Sequence, residues 1–423
     1  MNAPWYERAR YGLFIHYGLY SQLARGEWVM NREQIPPAEY AALQNTFTAE
    51  KFDAEAIAEM AVRWGMRYVI FTTMHHEAFR LYDSALSDFN SVKSPAGRDL
   101  VAEMVAACRK RGLRIGLYHS LNNWTDQPDA VSALEDRAAY DRFIDNTFRR
   151  LEELVTRFNP VDVMWYDGWW PFNADQWQAE RMNAMIRKIQ PHILFNGRNG
   201  LPGDFGTPEG HVTAPVPWRP WEACMTLNRN WGFHAGDPDW KSPREVVDML
   251  IKCAAQRGNL LLNIGPRGDG SIPGESVRIL DTVGAWLAQC GEAVYDTDFF
   301  SYDLMSQEGK GGSEFSHHGA FTASGRHMYF FVRSWVPREL ILCGVRSRVR
   351  AVSLLNTRQT LEFTQDAGGK VTVRGLPSEA PDAVCPVLKF EMEGTPGMYL
   401  CGGMRVPAVR HPHYDPCPSD IAH

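Results

Sequence analysis

The chain has 423 residues, 44% hydrophobic and 22% charged, a composition that predicts a large folded domain plus a smaller one. A formal charge of −6 with no Lys/Arg-rich run argues against nucleic acid as a partner, and no apolar run approaches membrane-spanning length. The eight cysteines are scattered without a C-x-x-C pair, and no basic-then-apolar leader precedes the first strand-like sequence, so a reduced cytoplasmic protein is expected; Cys401 and Cys417 leave a surface disulfide open.

Gly12–Gly18 reads as a first strand ending on His16, with Glu27 and Trp28 in the following loop. A helix is predicted over Phe52–Trp64, capped by Asp53 and stopped by Gly65. Tyr68–Thr73 is a second strand, running into Met74, His75, His76 and Glu77. Asp99 caps a helix to Arg111, and Arg114–Leu117 is a third strand that delivers Tyr118 and His119. A long helix over Ala138–Phe158 leads to V-D-V-M-W-Y-D-G-W-W, an apolar strand that stops on Asp167 among Trp165, Tyr166, Trp169 and Trp170. Trp177–Ile189 is helical, and His192–Phe195 is a short strand pointing to Arg198. The segment from Asn199 to Arg219 is a Gly/Pro-rich loop carrying Asp204 and Glu209, long enough to suggest function. A strand over Trp221–Thr226, a Ser242-capped helix over Pro243–Gln256, a buried strand over Asn259–Ile264 and a helix over Val277–Gln289 complete the series.

This strand–helix alternation is the rhythm of a parallel sheet, and it predicts a (β/α)8-like TIM barrel over residues 1–295. Beyond about Asp296, six short strands follow: Met328–Val332, Glu339–Leu342, Val349–Leu355, Lys370–Val373, Val387–Glu391 and Met398–Leu400. They predict a C-terminal all-β sandwich over 296–405, ahead of a loose polar tail over 406–423.

The barrel's strands end repeatedly on polar or titratable residues, and in a barrel such ends converge on one rim. Asp167 and Glu209 form the sharpest pair there. Two carboxylates amid aromatics suit glycoside hydrolysis, one as nucleophile or base and one as acid, with Glu222 as a competing acid. The Asp-Gly at 167–168 also reads as a simple turn. His16, His75, His76 and His119 leave a metal site open, although no H-E-x-x-H or His-x-His pattern supports one. His75 and His76, being adjacent, point to opposite faces if both lie on a strand. G-P-R-G-D-G at 265–270 is no phosphate loop.

Further motifs, in consistent order, carry a family resemblance. They are G-L-F-I-H-Y-G-L-Y (12–20), G-E-W (26–28), T-T-M-H-H-E-A-F (72–79), G-R-D-L-V-A-E-M (97–104), R-I-G-L-Y-H-S-L (114–121) and V-M-W-Y-D-G (163–168). G-D-F-G-T-P-E (203–209), W-E-A-C-M-T (221–226), W-G-F (231–233) and G-N-L-L-L-N-I-G-P-R-G-D-G-S-I-P (258–273) follow. Together they cover about the first 295 residues, and the chain resembles the family 29 glycoside hydrolases, the α-L-fucosidases. The resemblance implies a retaining hydrolase of fucosylated glycans without a metal or other cofactor. It places Asp167 as nucleophile and Glu209 as acid/base, with Glu222 as the alternative. Around the sugar it implies His16, Glu27, Trp28, His75, His76, Tyr118, Trp165, Arg198 and Phe233, with Trp28 and Phe233 facing the ring and its methyl group. The chain departs from the commoner pattern at Tyr17, Met74 and the E-A of H-H-E-A-F, where Trp, Lys and D-G are frequent. These departures are expected to line or flank the pocket. A metal-dependent barrel hydrolase and a non-catalytic fucose-binding protein are the competing readings, and a homo-oligomer is possible.

Overall fold

The computed structural model describes residues 4–215, 217–298 and 319–397, with the backbone of 401–402 and 404–405. Among the described residues, seven parallel strands form a curled sheet: β1 (Tyr11–Ile15), β2 (Tyr68–Met74), β3 (Arg114–Ser120), β4 (Val163–Asp167), β5 (Leu194–Phe195), β6 (Glu222–Thr226) and β7 (Asn259–Ile264). Their order is β5-β4-β3-β2-β1-β7-β6. Among the described residues no eighth strand closes the ring. Part of the Gly/Pro-rich segment does, through parallel bridges Asn196–Phe205, Gly206–Trp221 and Glu209–Cys224 that run between the β5 and β6 edges. The backbone bonds Asp204 N–H to Phe195 O (2.7 Å) and Cys224 N–H to Pro208 O (3.0 Å) fix that passage. What the sequence shows as a loop therefore holds Glu209 against a strand.

The helices form where side-chain caps start them. Asp53 accepts from Ala56 N–H ahead of Ala54–Arg63, Asp99 from Ala102 N–H ahead of Leu100–Lys110, and Asp136 from Ala139 N–H ahead of Arg137–Arg157. Ser242 and Glu245 make a reciprocal capping box for Pro243–Ala255.

The period of two along each strand sorts side chains into two layers. Phe14, Ile70, Tyr118, Val163, Trp165 and Leu261 fill the barrel interior. Leu13, Val69, Phe71, Leu117, Met164 and Leu262 face the helices. Gly12 is in the interior because a Cβ there would sit 2.3 Å from the Tyr68 ring.

The C-terminal strands are β8 (Gly319–Ser324), β9 (His327–Val332), β10 (Arg338–Leu342), β11 (Val349–Leu354), β12 (Thr360–Gln365), β13 (Val371–Leu376) and β14 (Val387–Met392). They pair antiparallel in the order β10-β13-β12-β11-β14-β9-β8. All seven contribute to one core that includes Phe321, Phe330, Leu340, Val352, Leu361, Val373 and Phe390, so the sheet folds over on itself as a sandwich. The sequence reading omits β8 and β12, and its strand at Met398–Leu400 lies outside the described residues, as do Cys417 and the tail. The opposite face of β8, β9 and β14 (Ala320, Tyr329, Phe331, Val387) joins the barrel's outer core. Trp286 Nε1 donates to Cys385 O at 2.7 Å across that contact, and Lys389 pairs with Glu292 at 2.7 Å.

Candidate active site

The rim at the C-terminal ends of the strands encloses a cavity of about 150 Å³. His16, Trp28, His75, His76, Tyr118, Trp165, Asp167, Arg198 and Glu209 all line it. Strand parity explains the set. Trp165 and Asp167 share the inward face of β4, and Tyr118 is inward on β3. His119, one residue on, points the other way: its Nδ1 meets Thr73 Oγ1 at 3.1 Å, and Arg150 Nε lies 3.4 Å from its Nε2. His75 and His76 follow the end of β2, so strand alternation no longer applies, and both rings reach the pocket with centroids 4.1 Å apart.

Asp167 is the best-held group. Tyr118 Oη donates to its Oδ2 at 2.8 Å, Arg198 donates to its Oδ1 at 3.1 Å, and His76 Nε2 lies 3.8 Å from Oδ2. Burial alone pushes this carboxyl up, but Arg198, His76 and the Tyr118 hydroxyl outweigh burial and hold it below the ordinary aspartate value. It is therefore ionised at neutral pH. The other arm of the Arg198 guanidinium donates to Glu209 Oε2 at 2.6 Å. One planar cation thus spans both carboxylates while resting 4.7 Å from the Trp165 ring centroid.

His16 is neutral and its tautomer is determined by neighbours. Trp231 O can only accept, so the Asn263 amide nitrogen faces it at 2.7 Å; Asn263 Oδ1 then accepts from His16 Nδ1–H at 2.7 Å. Burial drives the imidazole down to about 3 despite that bond, leaving Nε2 an acceptor. Burial, with His76 and His16 nearby, also keeps His75 neutral, and its buried Nδ1 has no hydrogen-bond partner.

Three of the expected residues are placed elsewhere. Glu222 stands at the start of β6, four residues below the rim, with no exposure. Its carboxyl accepts from Trp165 Nε1 and from Tyr68 Oη, both at 2.7 Å, and burial raises its pKa despite those bonds. It braces the pocket floor from beneath and is not among the lining residues. Glu27 is also buried behind the wall: its Oε2 accepts from the backbone N–H of Trp231 (3.1 Å) and Gly232 (2.8 Å). It fixes the turn that presents Trp231. Phe233 faces Arg267 (5.4 Å) and does not line the cavity; Trp231 and Phe14 do. Trp169, Trp170 and Cys224 complete the lining. A rule that polar strand ends mark the rim would have found Asn263, near the end of β7.

The departures from the common motif all lie behind the wall. The Tyr17 ring stacks on Phe52 (5.5 Å, 6°), Met74 is buried off the cavity, and Glu77 is enclosed, accepting from Leu19 N–H (3.0 Å), Tyr20 N–H (3.2 Å) and the Tyr40 hydroxyl. Burial lifts the Glu77 carboxyl from its ordinary 4.5 to about 7, against the pull of those three donors. In the folded chain it holds its proton to higher pH than in the unfolded chain. Its contribution to stability is thus full below about pH 4.5 and is lost as pH rises through about 7. Glu77→Gln is expected to flatten a fall of roughly 3 kcal/mol in unfolding free energy over that window. Urea titrations at both ends of it check this, and an unchanged slope would reject the assignment.

Among the described residues, no three His, Cys, Asp or Glu side chains gather as a metal-ligand set, and no helix is long and apolar enough to cross a membrane.

Comparison with known proteins identifies the family. The sequence profile described as Alpha-L-fucosidase matches residues 1–292. Rat tissue α-L-fucosidase is 32% identical over 322 residues, 69% of this chain and 69% of that protein. The structure of α-L-fucosidase isoenzyme 1 from Paenibacillus thiaminolyticus superposes with a TM-score of 0.82 at 31% identity, over 92% of this chain and 98% of that one. A family 29 α-L-fucosidase from Bacteroides thetaiotaomicron, trapped as a covalent intermediate with 2-fluoro-fucosyl fluoride, superposes with a TM-score of 0.81 at 26% identity, over 92% and 95% of the two chains. By sequence over the barrel and by fold over nearly its whole length, this chain belongs to family 29 of the glycoside hydrolases, the α-L-fucosidases.

Proposed function

We propose that the enzyme releases terminal α-L-fucosyl residues from glycans in two displacements, with Asp167 as nucleophile and Glu209 as acid/base. The observation that carries this reading is the single Arg198 guanidinium spanning an ionised, enclosed carboxylate and a second one open to solvent. In the first step an Asp167 oxygen attacks the anomeric carbon, the glycosidic C–O bond breaks, and Glu209 gives its proton to the leaving oxygen. In the second, Glu209 takes a proton from water, and the water oxygen displaces Asp167. Two inversions return the α configuration.

The roles follow from exposure. The Asp167 side chain is 12% exposed and Glu209 45%, so the nucleophile sits at the bottom and the proton donor at the mouth, where the leaving group departs. Glu209 is the more exposed end of its pair with Arg198, so a leaving group at the mouth can reach it. The neutral His16 and His75 imidazoles, both lining the cavity, suit sugar hydroxyls, and the Phe14–Trp231 wall suits the apolar methyl of fucose.

The test is turnover of an aryl α-L-fucoside beside an aryl β-D-galactoside, with the first-formed sugar read by NMR. Selective release of α-L-fucose is expected. A β-configured first product would reject the double displacement, and release from neither substrate would reject the activity.

A further inference from the structure

Ser120 pairs in register with Asp167 across β3 and β4, on the same inward face as Tyr118. It is fully buried and does not line the cavity. The backbone around it is tied down: Leu121 N–H donates to Asp167 O at 2.8 Å, and Asn122 N–H donates to Gly168 O at 3.2 Å. Gly168 is required in that turn. Its φ is 64°, and a Cβ would sit 2.5 Å from Ser120 Oγ and 3.3 Å from His76 Nδ1. The glycine after the carboxylate thus makes room for a contact between Ser120 and His76.

That contact has a direction. The Asn122 carbonyl can only accept, so the single Ser120 hydroxyl proton goes to it, and Ser120 Oγ turns a lone pair to His76 Nδ1 at 2.6 Å. The His76 proton therefore sits on Nδ1. Elsewhere the imidazole meets rings: Trp28 at 5.3 Å, Trp124 at 5.4 Å, Trp170 at 5.2 Å and the neutral His75 at 4.1 Å. Burial brings the His76 pKa below its ordinary value, although Asp167 and the Asn122 carbonyl pull the other way. Nε2 is then bare, 3.8 Å from Asp167 Oδ2. Two acceptors facing across that gap leave a place for one donor. The opposite tautomer would instead turn a donor toward the carboxylate and compete for the lone pairs that attack.

We propose that Ser120 is a positioning residue that acts through His76: it fixes the imidazole proton on Nδ1, so that Nε2 accepts from a sugar hydroxyl and leaves the Asp167 lone pairs to the anomeric carbon. The proposal rests on the fucosidase reading, with Asp167 as nucleophile.

Ring-nitrogen NMR of the wild-type protein at neutral pH, with His76 assigned by the signals lost in His76→Phe, reads the tautomer directly. Nδ1 protonated and Nε2 bare are expected; a proton on Nε2 overturns the proposal. Kinetics on an aryl α-L-fucoside complete the test. Ser120→Ala is expected to lower kcat about tenfold with KM within about threefold, roughly the worth of one enclosed hydrogen bond. In a His76→Phe background the same change should cost less than about twofold, because the partner it acts through is gone. An unchanged kcat, an equal loss in both backgrounds, or a loss carried by KM alone overturns the role. If Ser120→Ala does not fold, the wild-type spectrum still decides. A wild-type enzyme with the expected tautomer and no turnover of the fucoside rejects the fucosidase reading, and the kinetic role with it, while the tautomer stands.

Discussion

Asp167→Ala is expected to lower kcat on an aryl α-L-fucoside by about four orders of magnitude or more, with little change in fold. The size follows from the role proposed for Asp167, whose carboxylate would form the covalent bond and is held in place by Tyr118 at 2.8 Å and Arg198 at 3.1 Å. The fold survives because Arg198 keeps its second partner, Glu209, and its place against Trp165. The space left by the carboxylate, beside a retained guanidinium, accepts a small anion. Azide should restore part of the rate by attacking the anomeric carbon directly, expelling the aglycone and giving β-fucosyl azide. That single inversion is the diagnostic, read by NMR of the product. A residual rate within tenfold of wild type would exclude Asp167 as the nucleophile, and an α-configured azide would place the covalent bond on another residue.

Much of this architecture is legible in the chain before folding, because it rests on local rules. Asp53, Asp99 and Ser242 mark helix starts by the same side-chain-to-backbone bonds that the structure contains. The apolar runs ending in Asp167 and His16 mark strands and their rim ends. What the chain does not display is depth. Glu222 and Asp167 both sit among aromatics near a strand, but Glu222 begins β6 whereas Asp167 ends β4. Four residues of strand separate Glu222 from its own rim, roughly 13 Å at the rise of an extended chain. Facing is the second hidden quantity: Tyr118 and His119 are neighbours in sequence and lie on opposite faces of the sheet. The third is non-local. The segment 199–219 has turn composition throughout, and only the gap between the β5 and β6 edges makes Phe205, Gly206 and Glu209 pair as strand. In the same way, the wall position the resemblance implied for Phe233 goes to Trp231, because Glu27 binds the backbone N–H groups of residues 231 and 232.

Depth also separates the two candidate acids, and it does so by opposite signatures. Glu209→Gln is expected to leave stability near wild type, since the side chain is 45% exposed and Arg198 keeps its other partner, Asp167. Its cost is kinetic. Fucosides with poor leaving groups should lose about two to four orders of magnitude in kcat/KM, and those whose leaving group departs without a proton should lose far less. Azide should then accelerate turnover by attacking the glycosyl-enzyme in place of activated water, giving α-fucosyl azide after two inversions, the opposite anomer from Asp167→Ala. Glu222→Ala should fail differently. It strips the acceptor from Tyr68 Oη and Trp165 Nε1, both enclosed, and leaves a void in the barrel interior. The expected cost is at least about 3 kcal/mol of stability, measured by denaturant unfolding. Glu222→Gln keeps one acceptor oxygen under Trp165 and should retain most activity with no dependence on leaving group. An α-azide product from Glu222→Gln, with Glu209→Gln indifferent to the leaving group, would transfer the proton-donor role to Glu222. That result would require the barrel floor to open during catalysis, because in this arrangement Glu222 is bonded to the Trp165 indole and does not line the cavity.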